Sequence, residues 1–232
     1  MSSRKAATVI GGLAVVVLAL VAVGSAAPQP RVAPASWTLD FRYEDPQRIV
    51  IPGVGERRPR VFWYMLYTVV NDSGADVEFY PRFELKAGAT QILLHHQDVP
   101  SNVFAAIRHR HQSTRPFLQS PARIIGTLQQ GEDYAKDGVA VWPQFDPDAD
   151  EFTIFVRGLS GETDQVPNSS YDPGRPEAEE EVLADGTTVP RVVNPRYFTV
   201  HKTLAITYQL PGDRETHIQA SPVRLSQKWI MR

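Results

Sequence analysis

Val61-Phe62-Trp63-Tyr64-Met65-Leu66-Tyr67-Thr68-Val69-Val70 is the most apolar ten-residue window beyond the N-terminal segment, and its reading decides the fold. Aromatic and β-branched side chains suit a pleated strand, and apolar residues on both parities demand cover on both sides. Left open, Phe62 with Tyr64, or Trp63 with Tyr67, would put a large apolar patch in water. The window therefore predicts a central strand with an opposing sheet on one face and a second layer on the other. The best candidate for that layer is a short helix from Pro100 to about Arg110. Pro100 suits its first turn, and Val103, Phe104 and Ile107 share one side.

Working outward, Trp37, Leu39, Phe41 and Tyr43 alternate with polar residues as one half-buried strand, and Ile49 with Ile51 suggests a short second one. After the turn Asn71-Asp72-Ser73-Gly74, Val77, Phe79, Phe83 and Leu85 alternate against Glu78, Tyr80, Arg82, Glu84 and Lys86. Pro81 falls on the buried parity and cannot donate a ladder bond, which predicts an edge or a bulge there. Further strands are expected at Val139 to Trp142, Phe152 to Val156, Phe198 to Leu210 and Val223 to Trp229. Phe198, Val200, Leu204, Ile206, Tyr208 and Leu210 share one parity, broken by Lys202. Turn-punctuated strands without a βαβ rhythm predict a mainly β chain: an antiparallel sandwich with one short helix. Tryptophans 37, 63, 142 and 229 are expected in the core.

Residues 158–195 change character. Asn168-Ser169-Ser170, Asp172-Pro173-Gly174 and the acidic run Glu177 to Glu181 read as a long exposed loop insertion, solvated or disordered. Within it, Val182 to Val189 can close as a hairpin on Asp185-Gly186.

The stretch from Phe62 to Leu85, an aromatic strand running through Tyr67-Thr68-Val69-Val70-Asn71 into Val77-Glu78-Phe79, resembles immunoglobulin-like domains of secreted or membrane-tethered bacterial envelope proteins. Gly131-Glu132 leading to Val139-Ala140-Val141-Trp142 fits the same plan. The resemblance covers about half of the chain and is one of pattern. It implies an immunoglobulin-like β-sandwich used for adhesion, scaffolding or ligand binding, and it carries no catalytic residue over. The Cys-Trp-Cys spacing of antibody-type domains is absent.

The N-terminus gives the address. Arg4-Lys5 precedes an uncharged run from Ala6 to Ala27 and a Pro/Ala-rich linker, Pro28 to Ala35. A short positive flank before an apolar run directs the rest of the chain out of the cytoplasm. The 22 residues of the run suit a single-pass anchor, whereas Gly24-Ser25-Ala26-Ala27 offers the small residues of a cleavage site. Residues 1–27 are thus a signal peptide or signal anchor, 28–35 a linker and 36–232 the folded domain, held by the membrane if the leader stays and secreted or periplasmic if it is cut. The chain has no cysteine, so neither disulfides nor a lipidated Cys contribute. A net charge of -2 gives no global pull toward nucleic acid.

Chemistry-bearing residues gather in one place. His95, His96, His109 and His111 share a region with Arg108, Arg110, Arg115 and Arg123, in which Asp98 is the sole acid from His95 to Arg123. His109 and His111 converge on Zn²⁺ or Cu²⁺ only in a strand; on a helix, residues two apart diverge, and the intervening arginines repel a cation. Set against a metal site and a plain solvated face, the same residues suit an anion-recognition patch for phosphate or carboxylate partners. Asp146, Asp148, Asp150 and Glu151 alternate carboxylates as a calcium loop does. The sixth position is Glu151 where an EF-hand needs Gly and the twelfth is Arg157 where it needs Glu, so an EF-hand is rejected. A looser calcium loop and an acidic turn remain as readings. No Gly-x-Ser-x-Gly elbow and no phosphate-cradling motif occurs, and no cofactor is expected. The leading expectation is a non-catalytic envelope protein contacting another envelope protein or a polymer. The alternative is a metal-binding protein or metal-dependent enzyme using the His95 to His111 cluster.

Overall fold

The computed structural model describes residues 37–53, 58–212 and 220–232. The leader and linker, 1–35, lie outside the described residues, and among the described ones no helix is long and apolar enough to cross a membrane.

The fold is mainly β and antiparallel. Its central strand, β3 (Arg60–Val70), pairs along one edge first with β2 (Gln47–Ile51) and then with β1 (Asp40–Tyr43), and along the other with β8 (Lys136–Pro143). A second sheet joins β5 (Arg82–Ala87), β6 (Gln91–Leu94), β9 (Glu151–Arg157), β10 (Thr163–Pro167), β13 (Tyr197–Gln209) and β14 (Val223–Met231). Strand β13 lies between β14 and a composite edge. Strands β9 and β10 follow one another along that edge, with Lys202 N–H bonding to Glu162 C=O there and His201 N–H bonding to Arg232 C=O on the β14 side.

Both faces of β3 are buried, as its composition requires. Trp63, Met65, Tyr67 and Val69 meet Phe83, Leu85, Phe152, Ile154, Leu204 and Ile206 from the second sheet in one core, as in a β-sandwich. Phe62, Tyr64 and Leu66 point the other way into a second cluster. There they meet Ile49 and Ile51 and are capped by Val103 and Ile107 of the helix α1 (Ser101–Arg110). Gly138 stands opposite Tyr67 in register, where any Cβ would overlap the phenol ring.

Pro81 marks neither an edge nor a bulge. The alternating segment divides there, β4 (Val77–Phe79) pairing with β7 (Gly126–Leu128) in a small sheet while β5 joins the large one. Losing an N–H at the point where the chain changes sheets costs nothing. Gly158 packs against that crossover at φ +92, and a Cβ on it would lie 2.6 Å from the Tyr80 carbonyl oxygen.

Three expectations are corrected. Trp229 is 40% exposed and lies beneath the Lys202 ammonium; β14 pairs only with β13 and is exposed along nearly its whole length. Trp37 is only partly buried, and Phe198 is 49% exposed although it shares the parity of the core residues of β13, since among the described residues the core takes in that parity only from Leu204 onward. The insertion is hydrogen-bonded rather than structureless: β10 pairs with Tyr197–His201, and β11 (Ala178–Val182) pairs with β12 (Thr188–Val192). That hairpin turns on Asp185-Gly186, with Gly186 at φ +83. Its base is tied by the buried Asn194, which accepts from Asp172 N–H and donates to the carbonyls of Asp172 and Arg175.

This packing can be tested in two places. Trp63→Ala and Leu66→Ala, on opposite faces of β3, should each destabilise by about 2–5 kcal/mol in denaturant unfolding, the range for large-to-small core changes. Replacing residues 178–192 by a short Gly/Ser turn should move Tm by only a few degrees, since nearly all of the hairpin is exposed.

Candidate functional site

Helix α1 is held on the sheet at its C-terminal end. His111, its cap, returns an N–H to Ile107 C=O at 3.1 Å, and its Nε2 lies 2.9 Å from the Tyr64 hydroxyl. That hydroxyl donates to Gln47 Oε1 at 2.9 Å, while Gln47 Nε2 donates to Glu44. With the one phenolic hydrogen spent on Gln47, His111 Nε2 must carry the proton and donate to Tyr64. Arg110 donates to the same hydroxyl at 3.2 Å and to the Arg48 carbonyl at 2.9 Å. Burial holds the Tyr64 phenol above its ordinary pKa, against the opposing pull of Arg110. Arg115 then clamps the following loop by bonding to Glu44, Thr68 and Asp137. Arg110, His111 and Arg115 are therefore spent inward, satisfying a polar group that β3 buries beneath the helix.

The residues between them face outward. Two adjoining depressions run along α1 and the loop after it and share Phe104, Arg108 and Pro116. One, of about 460 Å³, adds Ala105, His109 and Gln112; the other, of about 360 Å³, adds Phe117, Ser120 and Arg123 among others. Phe117 is 80% exposed, a large cost in water for a phenyl ring. Arg108 and Arg123 make no ion pair or side-chain hydrogen bond among the described residues. The outcome is a groove lined by the partly buried Phe104 and the exposed Phe117, together with two arginines that have no acidic partner among the described residues.

The predicted histidine and arginine patch is thus divided into three. His95 and His96 stack on one another at 5.2 Å in the turn after β6, with His95 edge-on to Phe83. Burial, reinforced by His96, lowers the His95 pKa to about 4, and its Nδ1 has no hydrogen-bond partner among the described residues. Arg110 and His111 turn to Tyr64, whereas Arg108 and His109 line the groove. Among the described residues, no group of three or more His, Asp or Glu is placed to hold a metal ion. In the Asp146 to Glu151 segment, Asp146 accepts the Asp148 N–H at 3.0 Å, closing a turn, and its own N–H goes to Gln91. Ala149 is buried beneath that turn, Asp150 supplies a backbone carbonyl to Leu210 N–H, and Glu151 opens β9. Phe117 was not legible as a site residue; its one signal was an aromatic after Pro116 within an Arg-rich run that lacks alternation.

Compared with protein-family models, with curated proteins and with solved structures, the chain finds no match.

The His95 environment sets a pH dependence. Its folded-state pKa is depressed, so the neutral form favours the native state; the stabilisation is complete above the unfolded value near 6.5 and is lost as pH falls toward 4. Across that interval wild type should lose about 2 kcal/mol more than His95→Gln in urea unfolding. Parallel pH profiles would show that His95 is freely protonated in the folded protein.

Proposed function

We propose that this chain is a non-catalytic binding module of the cell envelope: an immunoglobulin-like sandwich exported and tethered through its N-terminal segment, with the α1 groove as its contact surface. The observation that carries the reading is the pairing of Phe104 and the exposed Phe117 with Arg108 and Arg123, two cations without acidic partners among the described residues. Exposed aromatic and arginine side chains together are the composition of binding hot spots, where apolar area is buried and the guanidinium selects carboxylates. The partner that fits is an acidic, partly apolar segment of another envelope protein. The Arg4-Lys5 flank and the apolar run after it support the address.

Site-specific photocrosslinking tests this. A photoreactive phenylalanine analogue at position 117 of the full chain should give a discrete adduct in intact cells, while the same group at Leu183, on the exposed hairpin, should not. Arg108→Glu with Arg123→Glu should reduce that adduct at least ten-fold. An adduct of equal yield at both positions, or one indifferent to charge reversal, would overturn the groove as the contact surface. A diffuse, polydisperse adduct would identify a polymer as the partner in place of a protein.

A further inference from the structure

The outer face of the second sheet, away from the α1 groove, carries a second cationic site of different construction. Arg82 on β5 stands directly opposite Arg157 on β9 in the antiparallel register. Like charges in that position destabilise a sheet. Arg232, just beyond β14, reaches across to join them, its guanidinium lying 4.2 Å from the Phe155 ring centroid. Glu84 bridges Arg82 and Arg232, pairing with Arg82 at 2.9 Å, and its side chain is only 14% exposed. Arg157 has no ion pair or side-chain hydrogen bond among the described residues. Together with Phe155 and the buried Thr203, these four side chains line a depression of about 150 Å³.

We infer that this depression is a binding site for a doubly charged tetrahedral oxyanion, a phosphate or sulfate group carried by a larger ligand. Three guanidinium groups against one carboxylate leave the side chains with a charge of +2, which one such group neutralises and a single carboxylate does not. Its volume of about 150 Å³ is enough for one such group. Glu84 restrains Arg82 and Arg232, and the Phe155 ring further restrains Arg232, which lowers the side-chain entropy lost when they bind an anion. Among the described residues Arg157 is the member without an ion pair, and it stands opposite a like charge. An arginine placed directly opposite a like charge fits a ligand that supplies the missing negative charge.

The test uses the full chain in nonionic detergent, with inorganic pyrophosphate as probe and sodium chloride matched for ionic strength. At roughly ten times its Kd, pyrophosphate should raise the wild-type Tm by about 3–6 °C. Arg157→Gln should weaken pyrophosphate about ten-fold or more and, by removing the like-charge opposition, raise the Tm of the ligand-free protein. Arg157→Lys, which keeps the charge but loses the fork, should lie between the two and serves for comparison if the glutamine variant does not fold. An equal shift from chloride, or equal pyrophosphate shifts in wild type and Arg157→Gln, would reduce the effect to screening and overturn the site. A lower ligand-free Tm in Arg157→Gln would make Arg157 a structural partner and overturn it as well. Long-chain polyphosphate identifies the source: tighter binding per phosphate than pyrophosphate assigns the group to a polymer, and equal binding assigns it to a small ester.

Discussion

Everything in this structure depends on β3 being apolar on both faces. A strand of that kind cannot lie at a surface, so one face recruits the second sheet and the other recruits α1. The cover has a polar consequence: Tyr64 goes under the helix with its hydroxyl, and a buried hydroxyl without a partner is costly. Gln47, Arg110 and His111 meet that requirement, and in doing so fix the last turn of α1 against the sheet. Arg110 and the cap His111 follow the buried Ile107 by three and four residues and so share its inward face, whereas Arg108 and His109, one and two residues after it, fall on the sides that line the groove. The candidate contact surface is thus a by-product of burying β3.

The two cationic surfaces differ in how they are held. Around α1, Arg115 is paired with Glu44 and Asp137, and the groove arginines stand outside that network. On the outer sheet face the cations are set by strand register, which brings Arg82 and Arg157 together with one shared carboxylate between Arg82 and Arg232. A net charge near zero says nothing of this, because the acids that balance it are elsewhere, among them the Glu177 to Glu181 run of the exposed hairpin.

The alternation in β5 and β9 was legible because each strand has one buried face, and period two reports that directly. It failed where a paired strand carries core parity beyond the buried cluster. Phe198 and Trp229 keep core parity but lie outside the core cluster, and parity alone cannot tell a covered face from an uncovered one. Residues 77–85 read as one strand because alternation persists through Pro81, although the chain there leaves one sheet for another. The polar composition of 158–195 reports solvent exposure correctly but is blind to backbone pairing, which is what orders β10, β11 and β12.

By itself the sequence determined the mainly β class, the double burial of β3, the position of α1 and the Asp185-Gly186 turn, since each comes from local periodicity or local backbone chemistry. It also placed arginines and histidines close together along the chain around α1. Only the tertiary structure decided which of them are spent on Tyr64 and which face solvent, because that depends on how the helix sits on the sheet. The Arg82, Arg157 and Arg232 cluster was invisible in one dimension. Its members lie on three separate segments, and their meeting is a matter of strand order and register, which long-range pairing sets and local sequence does not encode.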